Sequence, residues 1–570
     1  MMKPTMLRIL VAAFLTALLA LRFNPETTNS KPITLTFGRA GCSPDWTAIQ
    51  SWLSATDIPP IPGAGTHKWK ISTTSDSAQF YFNQGINMYY SFHIIESMAS
   101  FQKAARFDST CAMVHWAQSL AYGPNINDVG YTASAEAIRL TQKAEQLSAS
   151  ATQKEKALID ALKVRYSADS LKSREALNRL YTAKMKQAYE AYPDDPDFSA
   201  LYVDAMMLEH PWDLWTIDGK PKPWTPQIRE VLEKLLNRTP MHPGANHYYI
   251  HVMEPSPYPE KALPSADRLG LITPGLSHTV HMPSHIYLRT GQYAKGMTVN
   301  ENAVNSYRSS ISLFSPVTGN DFLYLIHNLH MKTNQSMMAG NLAYSRKAAD
   351  ETAASLKPDY LAAPGPMGSY MQYILMTPVL IDVRFGQWEA LLGRKLPSGS
   401  MTYATLLDNF GKGMAYAGLQ KLDSAKHALQ QLRELKKDSG LAIPLSPFSS
   451  ALEGATVAEH LLEGTIALKE RNFSKAIAAY TTAVDTEKEM VYNEPRDWMI
   501  NPTPYLGHAF LGAGDAKQAE SAFRKDLQSN QDNIWSLEGL HQCLLKQGKK
   551  KEAAQVKKRY ERVRSQAIAN

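Results

Sequence analysis

Eight of the chain's 16 histidines fall between His242 and His330, in three short clusters at helical spacing. Neutral imidazole is the commonest protein ligand for a transition metal, so each cluster is read first as a ligand set. In HPGANHYYIHVMEP (242–255), Pro243 suits a first helical turn and Pro255 ends a helix. His247 and His251 are then four residues apart, with Glu254 three further on, and all three project to one side. A His-x3-His pair followed by a carboxylate is a ligand set for Zn, Fe, Mn or Cu. Glu254 is a candidate ligand and also a candidate general base. In HTVHMPSHIYLRTG (278–291), His281 and His285 are four apart and His278 precedes them by three. Two geometries stay open there: one helix running through, or a helix starting at Pro283 with only His285 on it. In IHNLH (326–330), His327 and His330 are three apart, and Asn328 is placed to orient a neighbour. The candidate metal ligands are therefore His247, His251, Glu254, His281, His285, His327 and His330.

Two plainer readings stand beside the metal. The imidazoles can form a buried polar network with Asn and Glu, or the enrichment can have no common site. Packing many imidazoles together without a metal leaves ring nitrogens that each need a partner. Isolated histidines, namely His93 (with Glu96 three residues on), His115, His460, His508 and His541, read as ordinary core or surface residues. Cys111 and His115, four apart, could form a nucleophile pair, but the start of a repeat helix suits a small packed residue there. Phosphate-loop, nucleophile-elbow and zincin-helix motifs are absent.

The elements that must hold such a site read as helix pairs. In EGTIALKERNFSKAIAAYTTAV, Gly464, Ala476, Tyr480 and Ala483 take the small and aromatic positions of a tetratricopeptide repeat. Gly507, Ala519 and Phe523 repeat that register, as do Gly85, Phe101 and Ala104. Weaker copies lie at 291–296, 339–348 and 419–428. The expectation is an all-α tetratricopeptide-repeat helical solenoid with loop insertions and a concave inner surface. The insertions are 211–226 (Trp- and Pro-rich), 358–370 (Pro/Gly) and 491–505; such loops either cover a groove or cap a helix ridge.

The segments FNQGINMYYSFHIIESMASFQKAARFDSTCAMVHWAQSLAYGPNIN, HTVHMPSHIYLRTGQY, IHNLH, VRFGQWE and YNEPRDW resemble those of exported bacterial tetratricopeptide-repeat proteins of unassigned function. The likeness runs from about residue 76 to 550. It implies the fold and export, and it implies no reaction.

The net charge of +7 on 570 residues is modest. The basic stretch Gly548–Arg564 is interleaved with Ala, Val and Glu and reads as a solvated helix face, without a nucleic-acid-reading motif. Lys3 and Arg8 open an apolar run, Ile9–Leu21, of the length of a secretory signal. Residues 1–22 are therefore expected to be a signal peptide or membrane anchor, and 23–70 a linker. A helical region with the histidines should occupy 71–350, and the C-terminal solenoid 351–570. Cys42, in RAGC, is a poor lipidation site because Arg39 fits badly. Three cysteines rule out dependence on a disulfide framework. The expected activity is that of a metal-dependent oxidoreductase or hydrolase. The alternative is a non-catalytic scaffold holding a peptide, protein or small-molecule ligand in its concave groove. On cell fractionation the protein should appear with the periplasm or membrane; recovery from the cytoplasm with its N-terminus intact would overturn the export reading.

Overall fold

In the computed structural model, a Cβ added at Gly464 would come within 2.6 Å of the Tyr480 ring. Only a residue without a side chain lets helix Ala451–Lys469 lie this close to Phe473–Glu489. The same contact recurs between Gly507 and Phe523, at 2.5 Å, where Thr503–Gly512 meets Ala516–Ser529. It recurs again between Gly85 and Phe101, where helix α1 (Asp76–Tyr90) meets Ile94–Phe107. The register read from the sequence is thus one packing rule used three times. The turns share a rule as well: Gly291, Gly340 and Gly514 take left-handed φ values of 71°, 74° and 85° between consecutive helices. Gln420 and Arg471 do so at 62° and 61° without glycine's freedom.

The structure describes Trp46, Ile49, Leu53 and residues 57–127, 135–169, 171–314, 322–395, 401–493 and 497–569. Among these the regular structure is helical throughout, and β pairing is limited to single bridges at Trp215–Pro221 and Pro444–Ser450. The chain is an all-α solenoid of tetratricopeptide-type helix pairs interrupted by loops. No helix among the described residues is long and apolar enough to cross a membrane. The expected signal at 1–22 and Cys42 lie outside the described residues.

Two of the expected boundaries fall in packed parts of the chain. The end of the expected linker is irregular but pinned: the Ile61 and His67 N–H groups donate to the Gln84 and Asn87 side chains of α1. Ile58, Ile61 and Ala64 are buried. The expected division at 350/351 crosses one apolar core that runs from Tyr293 to Ala567. The last repeats also return to the middle of the chain. Trp535 Nε1 donates to the Met337 carbonyl at 3.1 Å, and Asn341 Nδ2 to that of Ala567 at 2.8 Å.

Six further helices carry or support the histidine region: α2 (Pro196–Glu209), α3 (Pro243–Met253), α4 (Ser277–His281), α5 (Pro283–Arg289), α6 (Tyr293–Leu313) and α7 (His327–Met338). Pro at the first helical position begins α2, α3 and α5, where its missing N–H is no loss. One π-helical turn, Phe322–Ile326, leads into α7, a local form often found at functional sites. Replacing Gly464 by Val should cost about 1–3 kcal/mol of stability through overpacking against Tyr480. A lowered thermal midpoint with unchanged helix content is the expected result, and an unchanged midpoint would show slack in the pair.

Candidate metal centre

Two groups of three imidazoles form inside the helical stack. His247 and His251 come from α3 and His278 from α4; His247 Nε2 lies 3.1 Å from the Nε2 atoms of both. In the second group His281 Nε2 lies 2.7 Å from His285 Nε2 and 2.9 Å from His327 Nε2. These come from the end of α4, from α5 and from the start of α7. The groups adjoin, with the His278 and His281 rings 6.2 Å apart between centroids.

The local sequence explains the split. Pro283 cannot donate a helical hydrogen bond, so α4 ends at His281 and α5 starts anew, with Met282 between them still in helical conformation (φ −48°, ψ −38°). The two short helices therefore follow one another closely. His281 and His285 stay on one side, and His278 faces the first group. Both geometries left open by the sequence hold in part.

The far nitrogen of each ring decides what the near one can do. His247 Nδ1 donates to the Tyr90 carbonyl at 2.7 Å, and His251 Nδ1 donates to Glu254 Oε1 at 2.8 Å. Both acceptors lack hydrogen, so each Nδ1 carries a proton, and the Nε2 of the neutral His247 ring carries a bare lone pair. In the second group His281 Nδ1 meets Asn300 Oδ1 at 2.6 Å. The Asn300 amide is oriented because its Nδ2 donates to the Gly296 carbonyl. His285 Nδ1 lies 3.3 Å from Glu254 Oε2. Burial pushes His247, His278 and His285 well below the ordinary imidazole pKa, with neighbouring imidazoles adding to it, and burial takes His281 down to about 4. His247, His278, His281 and His285 are therefore neutral near pH 7. Bare nitrogens about 3 Å apart repel unless a cation lies between them. Two nitrogens about 2.0–2.1 Å from one ion, at angles of about 90–110°, stand roughly 2.9–3.4 Å apart, close to the spacings found.

Glu254 is fully buried and sits behind the rings, in contact with one imidazole of each group. The Tyr492 hydroxyl donates to its Oε2 at 3.2 Å. The carboxylate thus orients His251 and His285 from the Nδ1 side instead of joining the converging nitrogens. Three residues beyond His251, it reaches that ring's outer edge, and the structure does not place it among the converging ring nitrogens.

Aromatic side chains close the first group. The Phe92 ring lies 4.5 Å from His247, 5.7 Å from His278 and 6.0 Å from His251, and Trp212 meets His251 edge-on at 5.3 Å. Phe92 and Trp212 are both left-handed, at φ 55° and 61°. Such strain in bulky residues gathers at functional sites. The insertion 211–226 docks on α3, where Trp215 Nε1 donates to the Val252 carbonyl. Insertion 491–505 reaches the site through Tyr492. Insertion 358–370 instead lines a separate crevice with Tyr373 and Tyr403.

Not every histidine grouping has this chemistry. His67 and His242 share Asp197 Oδ1 at 2.8 and 3.4 Å, and the Tyr90 hydroxyl donates to the same oxygen. His242 Nδ1, however, accepts the Ala245 N–H as the N-cap of α3. Its proton is therefore on Nε2, pointing at the carboxylate, and that nitrogen has no lone pair for a metal. Burial opposes the Asp197 charge; the two imidazoles overcome it and hold the carboxyl well below its usual range. This group is a buried hydrogen-bonded network that anchors the start of α3.

Of the seven candidates, His247, His251, His281, His285 and His327 supply converging nitrogens. His330 belongs to neither group: its Nε2 lies 3.2 Å from Met499 Sδ, and burial takes its pKa to about 3. One helical step from His327, it faces another side of α7. The residue that completes the His247–His251 pair is His278, which the candidate set omitted; its place at the head of α4, three residues before His281, was the available signal. His93 also serves the first group without joining it. It stacks on Tyr324 and its Nε2 accepts the His278 N–H. Asn328 ties α7 to Ser277 and to the Tyr324 carbonyl, not to an imidazole. His115 meets the Ser109 carbonyl, and Cys111 is a buried free thiol.

No protein-family model and no curated protein matches the chain. Among solved structures, human IFIT1 with m7Gppp-AAAA is 12% identical, with 86% of this chain and 91% of that one covered at a TM-score of 0.31. The APC/C Cut9–Hcn1 hetero-tetramer is 11% identical, with coverage of 88% and 80% and a TM-score of 0.29. Yeast Tom70 is 13% identical, with coverage of 86% and 94% and a TM-score of 0.27. Likenesses this distant carry no argument about ligand or activity, and the fold rests on the helix contacts described above.

A pH dependence follows from the neutral rings. Unfolded histidines titrate near 6.5 and folded His281 near 4. The unfolded chain therefore takes up protons in that window that the folded chain refuses. Chelator-treated protein should lose stability as pH falls from about 6.5 to about 4, by roughly 1.4 kcal/mol per pH unit for each such histidine at most. Flat denaturation midpoints across this window would show that the rings are not held neutral.

Proposed function

We propose that the chain is a transition-metal protein with two adjacent tri-histidine centres, His247/His251/His278 and His281/His285/His327. The observation that carries this is the convergence of three imidazole Nε2 atoms in each group onto the bare lone pairs of His247 and His281. Zn, Fe, Mn and Cu all suit imidazole ligands. Three protein ligands leave coordination positions open, the pattern of a centre that acts on a substrate and not of a closed structural site. Such a metal supplies Lewis acidity, an activated water, or oxygen chemistry, which supports a metal-dependent oxidoreductase or hydrolase. The chain's own contribution is to keep the imidazoles neutral, orient two of them through Glu254, and exclude water from the first centre with Phe92. Glu254 and Tyr492 together form a hydrogen-bonded route along which a proton can move toward the rings. The resemblance of the sequence and its apolar start support placing the protein outside the cytoplasm, free or anchored through its N-terminus.

A second reading is supported by the fold itself. Stacked tetratricopeptide-type helix pairs present a concave face, which suits a scaffold holding a peptide or protein partner. Metal analysis separates the two. Protein purified without a polyhistidine tag should bind two equivalents per chain. His251→Ala should lower the content from two equivalents toward one with helix content unchanged, and His330→Ala should retain both. Glu254→Gln keeps the shape but weakens the hold on two rings, and a loss of about 10–100-fold in affinity is expected. A His247→Ala/His251→Ala double variant with full metal content would refute the assignment. A chain that never binds stoichiometric metal would leave the scaffold.

A further inference from the structure

A narrow cleft, with about 40 Å³ open to the centre of a water molecule, ends on the second histidine group. That is room for about three waters, and it admits an ion or a small inorganic molecule. Three methionines, Met331, Met338 and Met499, line it, and all are buried. Met331 and Met338 follow His327 at four and eleven residues, so α7 carries them on the side that delivers the ring. One turn, about 6 Å, separates His327 from Met331, and two turns, about 10 Å, separate Met331 from Met338. Met499 enters from late in the chain, and its Sδ lies 3.2 Å from His330 Nε2. His285 also lines this cleft, whereas the first group lies under Phe92 and Trp212. The two centres are therefore unequal in access.

From this arrangement we infer that the second centre takes copper as Cu(I), which reaches it along the methionines of the cleft. The inference rests on the metal reading of His281, His285 and His327. The converging donors are imidazoles alone, and Glu254 stands behind the rings, so the ligand set brings no negative charge. Mg, Ca and Mn favour carboxylate, carbonyl and water oxygens, and this set offers none. Zn(II) on three imidazoles still requires a fourth ligand. Cu(I), with a filled d shell and a single charge, is satisfied by three neutral nitrogens. Among the ions that suit imidazole, it is also the one for which a thioether is a good donor. The cleft has no acidic funnel to draw a dication, since Arg289 and Glu487, of opposite sign, both line it. Methionine has another use, because its side chain fills irregular gaps. Leucine fills such gaps nearly as well and has no sulfur, so exchanging the two separates packing from metal handling.

The test uses the full untagged chain without oxygen, with Cu(I) delivered as its coloured bicinchoninate complex and Zn(II) as the comparison ion. Loss of the complex's colour should report two Cu(I) per chain. A Met331→Leu/Met338→Leu/Met499→Leu variant should reach the same final content, with uptake of one equivalent slowed at least about tenfold. Zn(II) uptake should be unchanged in that variant. His281→Ala/His327→Ala should remove the slowed equivalent and no other, so that the methionine substitutions then leave the rate as it is. A triple variant that takes up both equivalents at the wild-type rate would overturn the inference. So would equal slowing of Cu(I) and Zn(II), the mark of a reshaped cleft. The wild-type chain separates the failures: two bound Zn(II) with no Cu(I) withdrawn refutes copper alone, and a chain that binds neither ion refutes the metal reading and copper together.

Discussion

The Glu254 carboxylate holds one imidazole from each histidine group, and the rest of the centre depends on that contact. A buried carboxylate is costly unless its charge is matched. Here the carboxylate meets His251 Nδ1, the outer edge of His285 and the Tyr492 hydroxyl, so one buried group fixes a ring in each cluster and ties both to a residue near the end of the chain.

Building that arrangement requires departures from repeat regularity. Repeats of a solenoid contact their neighbours and little else, yet this centre draws on α1 through Tyr90, on α3, α4, α5 and α7, and on Tyr492 near the end of the chain. The closure of the last repeats onto Met337 and Asn341 brings Tyr492 and Met499 back to the middle. Proline at 283 and the π-turn before His327 break the helical period where it would have carried imidazoles apart. The left-handed Phe92 and Trp212 lower a lid of aromatic rings over the first group.

How much of this was legible depends on the range over which each cause acts. The helix pairs were, because Gly464–Tyr480 and its two copies are contacts within about 20 residues and leave a pattern in the sequence. His247, His251, His281 and His285 were found by their spacing within one helical face. The partition was not, since the period that joins His278 to His281 is interrupted by a break whose effect on direction depends on packing. His330 misled for the same reason: three residues from His327 is a shared face in spacing, but the neighbouring helices set which side meets the cluster. The role of Glu254 was out of reach because the i+3 relation is the same whether a carboxylate meets a metal or the back of an imidazole.

Inequality between the two centres then follows from chain order. The first centre is assembled early, between α3 and α4, and is sealed by residues at 92 and 212 that belong to its own half. The second takes His327 from α7, the helix against which the last repeats close, so its outer side becomes the seam between the two ends of the solenoid. A seam is where a repeat protein has room for a cleft, because the surfaces that meet there are not bound to the repeat's packing rule. Met331, Asn334 and Met338 lie along that seam on the helix that delivers His327. The stripe that positions a ring nitrogen at one end therefore shapes the approach to it at the other.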